Sequence, residues 1–259
     1  MESSKLFDLT GKVALLTGAS KGIGLAMAEG LAEHGCRVMV SSRKLEQCQV
    51  AAEQINSRCG EKRAFAKDCN ASHKQDLQAL VDATRKEIGP IDILVANAAS
   101  NPYYGPMSKL PDEAYDKIMS TNVKSNHWLA HMVSSDMIAK GSGSIMITSS
   151  VGAFRSSAVL GTYVISKLAV LGLVRNLAEE LGPSGIRANA ICPGLIKTDF
   201  SKALWENAES AGYAASNIPL GRLGESEDLK GAAVFLASDA SQYITGQALT
   251  VCGGSSMWS

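Results

Sequence analysis

The sequence predicts an α/β protein: one doubly wound parallel sheet of about seven strands, with helices on both faces. Two observations carry this. Short apolar runs of strand length alternate with helix-length patterns from Lys12 to Val251, with no linker, repeat or low-complexity segment between them. The first of those runs passes directly into a glycine turn that opens a helix, Thr17-Gly18-Ala19-Ser20-Lys21-Gly22-Ile23-Gly24. At 259 residues the chain is long enough for a substantial core and reads as a single domain over residues 1–259.

The first strand is Val13-Ala14-Leu15-Leu16, and the helix after the glycines runs to Leu31 before Gly35. Strand, glycine turn and helix together offer a helix N-terminus and close backbone approach to a pyrophosphate. A glycine triplet alone is a weak signal; its position after the first strand points to a dinucleotide. The second strand is Arg37–Ser41. At its end an NAD-selective site would place an acid for the ribose 2′-hydroxyl. Ser42, Arg43 and Lys44 stand there instead. A guanidinium suits a 2′-phosphate through bidentate charge-assisted bonds, and Lys21 is placed to approach the same phosphate. Taken singly, Arg43 and Lys44 also read as solvated residues opening a helix. The missing acid and the flanking cations together favour NADP(H).

A second helix covers Leu45–Cys59 and a third strand Ala64–Asp68. Asp68 is placed to meet an adenine edge or to cap the next helix. Leu77–Ile88 is amphipathic and stops at Gly89-Pro90. The fourth strand, Ile91–Ala96, continues into Asn97-Ala98-Ala99, small residues that let backbone lie against a cofactor. A long helix pattern spans Glu113–Lys140. Asn122 within it is a poor mid-helix residue, so a bend or a functional contact is expected there. His127 and His131 have the spacing of a metal pair, but no third ligand is evident and packing or subunit contact is the reading; no metal site is expected.

The fifth strand, Ser144–Thr148, delivers Ser149 and Ser150. A helix follows over Thr162–Leu181, and the sixth strand, Arg187–Ile191, leads into Pro193-Gly194-Leu195-Ile196-Lys197-Thr198. Residues 199–220 read either as a flap over a pocket or as an ordinary surface helix pair. A helix over Glu225–Ser238 and a last strand, Gln247–Val251, complete the chain. The strand ends thus collect Gly18–Gly24, Ser42–Lys44, Asn97, Ser150 and Pro193–Thr198 at one crevice.

Tyr163 and Lys167 are four residues apart and share one helix face. An ammonium beside a phenol favours the phenolate, and a tuned phenol can give or take a proton. A serine hydroxyl from the preceding loop would hold a carbonyl oxygen. This is equipment for reducing a carbonyl or oxidising an alcohol.

Composition excludes little but is consistent. Lys plus Arg and Asp plus Glu number 25 each, so nothing global recommends nucleic acid or an anionic membrane as partner. Six scattered cysteines without a Cys-x-x-Cys pair read as reduced packing residues in a cytosol-like compartment. No apolar signal region opens the chain, and no apolar run is long enough for a membrane span.

Thr17-Gly18-x-x-x-Gly22-x-Gly24, Asn97-Ala98, Asn122, Ser150, Tyr163-x-x-x-Lys167 and Pro193-Gly194 together resemble the short-chain dehydrogenase/reductase superfamily, over essentially the whole chain. The resemblance implies a Rossmann-type fold and direct hydride transfer. It implies Ser150, 13 residues before Tyr163, as the catalytic serine rather than Ser149. It also implies Lys167 holding the nicotinamide ribose and lowering the Tyr163 pKa, and Asn122 positioning a water toward Lys167. Ser20, Ile23, Ala98, Ile196 and Thr198 join the glycines, Pro193 and Gly194 as implied cofactor contacts. Where the family often has Asn-Asn-Ala-Gly, this chain has Ala96-Asn97-Ala98-Ala99. Asn97–Pro102, Gly194–Ser201 and Leu204-Trp205 resemble the NADP(H)-dependent carbonyl reductase and retinol dehydrogenase/reductase branch. Animal members of that branch are peroxisomal with a C-terminal targeting tripeptide. Met257-Trp258-Ser259 does not match one, so the expectation is a cytoplasmic homotetramer acting on a small-molecule carbonyl or alcohol. The alternatives are a 3-oxoacyl thioester reductase and a non-catalytic NADP(H)-binding sensor or scaffold.

Overall fold

The computed structural model describes residues 5–257, with backbone alone at 208–210. The readings placed on residues 1–4 and on Trp258 and Ser259 lie outside the described residues. Seven strands form one sheet: β1 Val13–Thr17, β2 Arg37–Ser42, β3 Ala64–Asp68, β4 Ile93–Ala96, β5 Gly143–Thr148, β6 Ile186–Pro193 and β7 Ala248–Val251. Their order is β3-β2-β1-β4-β5-β6-β7, and every pair is parallel. The order reverses between β1 and β4, where Thr17 is level with Ala96. A crevice opens at that switch point, beyond the strands' C-terminal ends.

The apolar runs are continuous because both faces are covered, and alternate residues go to opposite sides. Val13, Leu15, Leu94, Ile145 and Ile147 join one core with Leu77, Leu80, Val133 and Val174. Ala14, Leu16, Ile93, Val95 and Met146 join the other with Met27, Leu31, Ile55 and Val234. The first core is covered by α3 (Lys74–Glu87), α5 (Ser125–Lys140) and α6 (Gly161–Leu181). The second is covered by α1 (Gly22–Glu33), α2 (Leu45–Cys59) and α8 (Lys230–Ala237). Each fully buried Leu, Ile or Val contributes roughly 1.5–3 kcal/mol of transfer free energy. Among the described residues no helix is long and apolar enough to cross a membrane.

Three expectations are corrected, and a segment left open is filled in. The Glu113–Lys140 helix is α4 (Asp112–Met119), a π-helical turn Ser120–Lys124 and α5; Asn122 lies in the wide turn, where one extra residue per turn re-aims its side chain. Asp68 does not cap α3: the helix begins at Lys74, its cap position is His73, and the Asp68 carboxylate pairs with Lys67 Nζ at 3.0 Å. The Glu225–Ser238 helix is a 3₁₀ turn, Ser226–Leu229, before α8, because Asp228 turns back to accept from Glu225 N at 2.8 Å. Residues 199–220 hold a 3₁₀ helix, Asp199–Leu204, and a short α7, Ala208–Ser216.

Candidate active site

The glycine turn is shaped by close contact rather than by flexibility. Gly18 and Gly22 have φ of 61° and 59°, the left-handed region that side chains avoid. A Cβ on Gly18 would stand 2.9 Å from Ala98 Cα, and one on Gly24 would stand 2.2 Å from Gly18 O. Ala98 and Asn97 are fixed against the turn: both backbone N–H groups donate to Thr17 Oγ1 at 3.2 Å, and Asn97 Nδ2 donates to Gly18 O at 2.9 Å. Lys21 stands at the cap position of α1, and no side chain caps that helix. Its first N–H groups, at Gly22, Ile23 and Gly24, therefore face the crevice with the positive end of the helix dipole. Ser20 lies in the same turn, half-buried. This is a cradle that fits a pyrophosphate.

At the end of β2, Ser42 Oγ contacts Cys48 Sγ at 3.1 Å, while Arg43 and Lys44 are exposed. Neither cation has an ion-pair partner among the described residues, so both are available to an anion. Lys21 is otherwise engaged: its Nζ donates to Asp199 Oδ2 at 2.6 Å, across the crevice. Asp68 is exposed at the end of β3, next to β2.

The second half of the site is built on α6. Tyr163 and Lys167 share a face as their spacing requires, with Lys167 Nζ 5.6 Å from the centre of the Tyr163 ring. Lys167 is buried to 2% exposure, and its Nζ donates to Thr148 O at 2.8 Å. No carboxylate pairs with it among the described residues. Burial pushes its pKa down to about 8, with the nearby Cys192 thiol acting weakly the other way. Tyr163 is pushed up to about 12, first by burial; Ser150, within hydrogen-bonding reach, lowers it in part. The expected lowering by Lys167 is corrected: desolvation of the phenolate sets the direction, and the ammonium is turned to Thr148. Ser150 Oγ accepts from Gly152 N at 3.0 Å and keeps its own proton to donate.

Asn122 is fully buried and reaches neither Lys167 nor Tyr163 directly. Its Oδ1 accepts from Ser100 N at 2.8 Å, and its Nδ2 donates to Ser100 O and Ser166 Oγ at 3.1 and 3.0 Å. Ser166 Oγ in turn donates to Tyr163 O at 2.6 Å. Asn122 thus ties the β4 extension to the Tyr163 turn of α6. Ser149, passed over in favour of Ser150, donates to Lys167 O at 2.8 Å and locks β5 to α6. Ser166 has no role that its residue type announces; its place inside Tyr163-Val164-Ile165-Ser166-Lys167 puts it on the helix turn between the two.

Beyond β6, Ile196 makes a parallel bridge to Gly224, and Thr198 caps the 3₁₀ helix that follows. Gly194 packs where a Cβ would meet Cys252 at 2.8 Å, and Pro193 ends β6. Phe200, in that 3₁₀ helix, lies with its ring centre 6.1 Å from that of Tyr163. Trp205 Nε1 donates to Ser201 Oγ at 3.0 Å, while Tyr213 is 75% exposed. A narrow cleft beside Tyr163 is lined by Met107, Leu110, Ile118, Val159 and Leu160. Phe154 packs on the core, and Tyr104 is 47% exposed. The His127 and His131 ring centres lie 4.5 Å apart with the planes tilted by 49°, and His131 Nε2 is 3.7 Å from Glu180. No group of three metal-ligating side chains occurs among the described residues.

The family model for enoyl-(acyl carrier protein) reductase matches residues 18–256. "Dehydrogenase/reductase SDR family member 4" of Sus scrofa is 41% identical over 247 residues, covering 95% of this chain and 88% of that protein. Among solved structures, a 7α-hydroxysteroid dehydrogenase complexed with NADH and 7-oxo glycochenodeoxycholic acid superposes with a TM-score of 0.93 at 35% identity, covering 98% of each chain. A gluconate 5-dehydrogenase from Burkholderia cenocepacia J2315, in complex with NADP and tartrate, superposes with a TM-score of 0.91 at 32% identity, covering 96% of this chain and 97% of its own.

Proposed function

The chain belongs to the short-chain dehydrogenase/reductase superfamily, and from that premise we propose that it is an NADPH-dependent reductase of ketones or aldehydes. The observation that carries the reading is Lys167: a buried ammonium with one protein acceptor, directly behind a phenol. Burying such a charge is costly unless further acceptors complete it, and the ribose hydroxyls of a nicotinamide nucleotide are acceptors of the right kind.

Gly18, Ser20, Gly22, Ile23 and Gly24 would hold the pyrophosphate, Ser42, Arg43, Lys44 and Lys21 the 2′-phosphate, and Asp68 the adenine. Asn97 and Ala98 would support the middle of the dinucleotide; Pro193, Gly194, Ile196 and Thr198 would border the nicotinamide. When bound, the reduced nicotinamide supplies the hydride that the carbonyl carbon accepts. Ser150 Oγ donates to the carbonyl oxygen and holds it beside Tyr163. As the C=O electron pair moves onto oxygen, Tyr163 Oη gives up its proton there and an alcohol leaves. A protonated phenol at this position holds the proton that the developing alkoxide needs. Phe200 and the Met107–Leu160 cleft give Tyr163 apolar neighbours, which supports an apolar carbonyl as substrate. Asn122, through Ser166, holds the first turn of α6 in place.

All six cysteines are free thiols, in keeping with a cytoplasmic setting. Ile165 and Leu168 expose apolar surface on α6, which supports a homotetramer built through α4, α5 and α6. The test is NADPH oxidation against a panel of ketones, diketones, retinal and acetoacetyl thioesters. Turnover of simple ketones supports the reading; turnover confined to the thioester transfers the assignment to 3-oxoacyl reduction, and binding without any turnover makes the chain a sensor.

A further inference from the structure

We propose that Asp199 is a selectivity residue for the phosphate-bearing dinucleotide: its carboxylate competes with the 2′-phosphate for Lys21. The proposal rests on the NADP(H) reading above.

Lys21 and Asp199 are 178 residues apart in sequence and meet at 2.6 Å. The contact is not an isolated surface pair. Thr198 lies directly on the turn, its Cγ2 3.2 Å from where a Cβ of Gly22 would be. The segment therefore rests on the uncapped N-terminus of α1, where a phosphate dinucleotide is expected to lie. Asp199 instead engages Lys21, the cation assigned above to the 2′-phosphate. The Lys21 hydrogen bond holds its carboxyl below the usual range, with Lys202 adding a smaller effect.

The rest of the segment is fastened elsewhere. Ser201 Oγ donates to Ile196 O, Trp205 Nε1 donates to Ser201, and Lys197 Nζ pairs with Glu225 at 2.7 Å. Lys21 is thus the ionic tether between the start of the segment and the glycine turn. Phe200 follows Asp199 directly, and its ring centre lies 6.1 Å from that of Tyr163. A 2′-phosphate carries more charge than a carboxylate and takes Lys21 from it. A dinucleotide without that phosphate leaves the pair intact.

Both side chains are about two-thirds exposed, at 64% and 71%. An exposed pair of this kind is worth a factor of roughly two to five in an equilibrium. The test is equilibrium binding of NADPH, NADH, adenosine 2′,5′-bisphosphate and AMP to the wild type, Asp199→Asn, Lys21→Met and the double variant. At low salt, Asp199→Asn should tighten NADPH and the bisphosphate about two- to five-fold and leave NADH and AMP unchanged. The gain should vanish in the Lys21→Met background and at about 0.5 M salt. Equal tightening of NADH, a gain that survives Lys21→Met, or no gain at all overturns the proposal. A wild type that binds NADPH normally while Asp199→Asn changes nothing refutes this inference alone. A wild type with no preference for the 2′-phosphate refutes the NADP(H) reading as well.

Discussion

Lys167→Met should stabilise the fold while removing the reaction. Lys167 is buried with one acceptor, Thr148 O, and burial lowers its pKa from 10.5 to about 8. The unfolded chain keeps the proton to about pH 10.5, whereas the folded chain releases it near pH 8. The folded state therefore carries the full penalty below pH 8 and sheds it as pH rises toward 10.5. At about 1.4 kcal/mol per pH unit, that penalty is about 3 kcal/mol at neutral pH. Methionine keeps the stem packing and removes the charge, and the lost hydrogen bond to Thr148 returns about 1 kcal/mol. The variant should be more stable by about 2 kcal/mol, or roughly 4–8 °C in Tm. Urea unfolding without dinucleotide, at fixed protein concentration and between pH 7 and 9.5, measures it. Tyr163, raised to about 12, costs stability only above its unfolded pKa of 10 and stays out of that window. A variant less stable than wild type at pH 7 would refute the reasoning, as would an advantage that does not shrink above pH 8.

Asn122→Ala leaves Ser100 N and O and Ser166 Oγ without their partner, and should cost about 3 kcal/mol in urea unfolding; a loss below about 1 kcal/mol would show that the network relaxes without it. Gly24→Ala places a methyl 2.2 Å from Gly18 O, so NADPH affinity should fall at least about ten-fold as the turn is pushed open; unchanged titration curves would remove the turn from the cofactor site. Arg43→Asp replaces the exposed guanidinium with the acid that suits a ribose hydroxyl, and the NADPH/NADH ratio of kcat/KM should drop by about 100-fold; an unaltered ratio would take Arg43 out of the phosphate site.

The sheet was readable because its signal is local. Val13–Thr17 and Ile93–Ala96 are apolar throughout and stop at small residues, and burial on both faces demands that pattern. Tyr163 and Lys167 were readable because a four-residue spacing on a helix fixes a shared face. Three features were not legible. Lys21 and Asp199 meet across 178 residues, and no periodicity relates them. Phe200 carries no local signal, because its ring reaches Tyr163 only through the fold of the Thr198 cap. The sign of the Tyr163 shift depends on how densely the phenol is surrounded, and spacing carries the neighbouring ammonium but not the desolvation that sets the sign. Asn122 lay between these cases. Its poor helix propensity announced an irregularity, and the π turn is that irregularity, but its partners Ser100 and Ser166 come from other elements.

The most direct measurement is Tyr163→Phe, assayed for NADPH binding and for single-turnover reduction of whichever ketone the wild type accepts. Deleting one oxygen leaves the ring against Phe200 and the Lys167 surroundings in place. NADPH affinity within about two-fold of wild type, with reduction slowed by at least about 10³-fold, is the expected result. Reduction at a wild-type rate would contradict Tyr163 as the proton donor and the reductase assignment built on it.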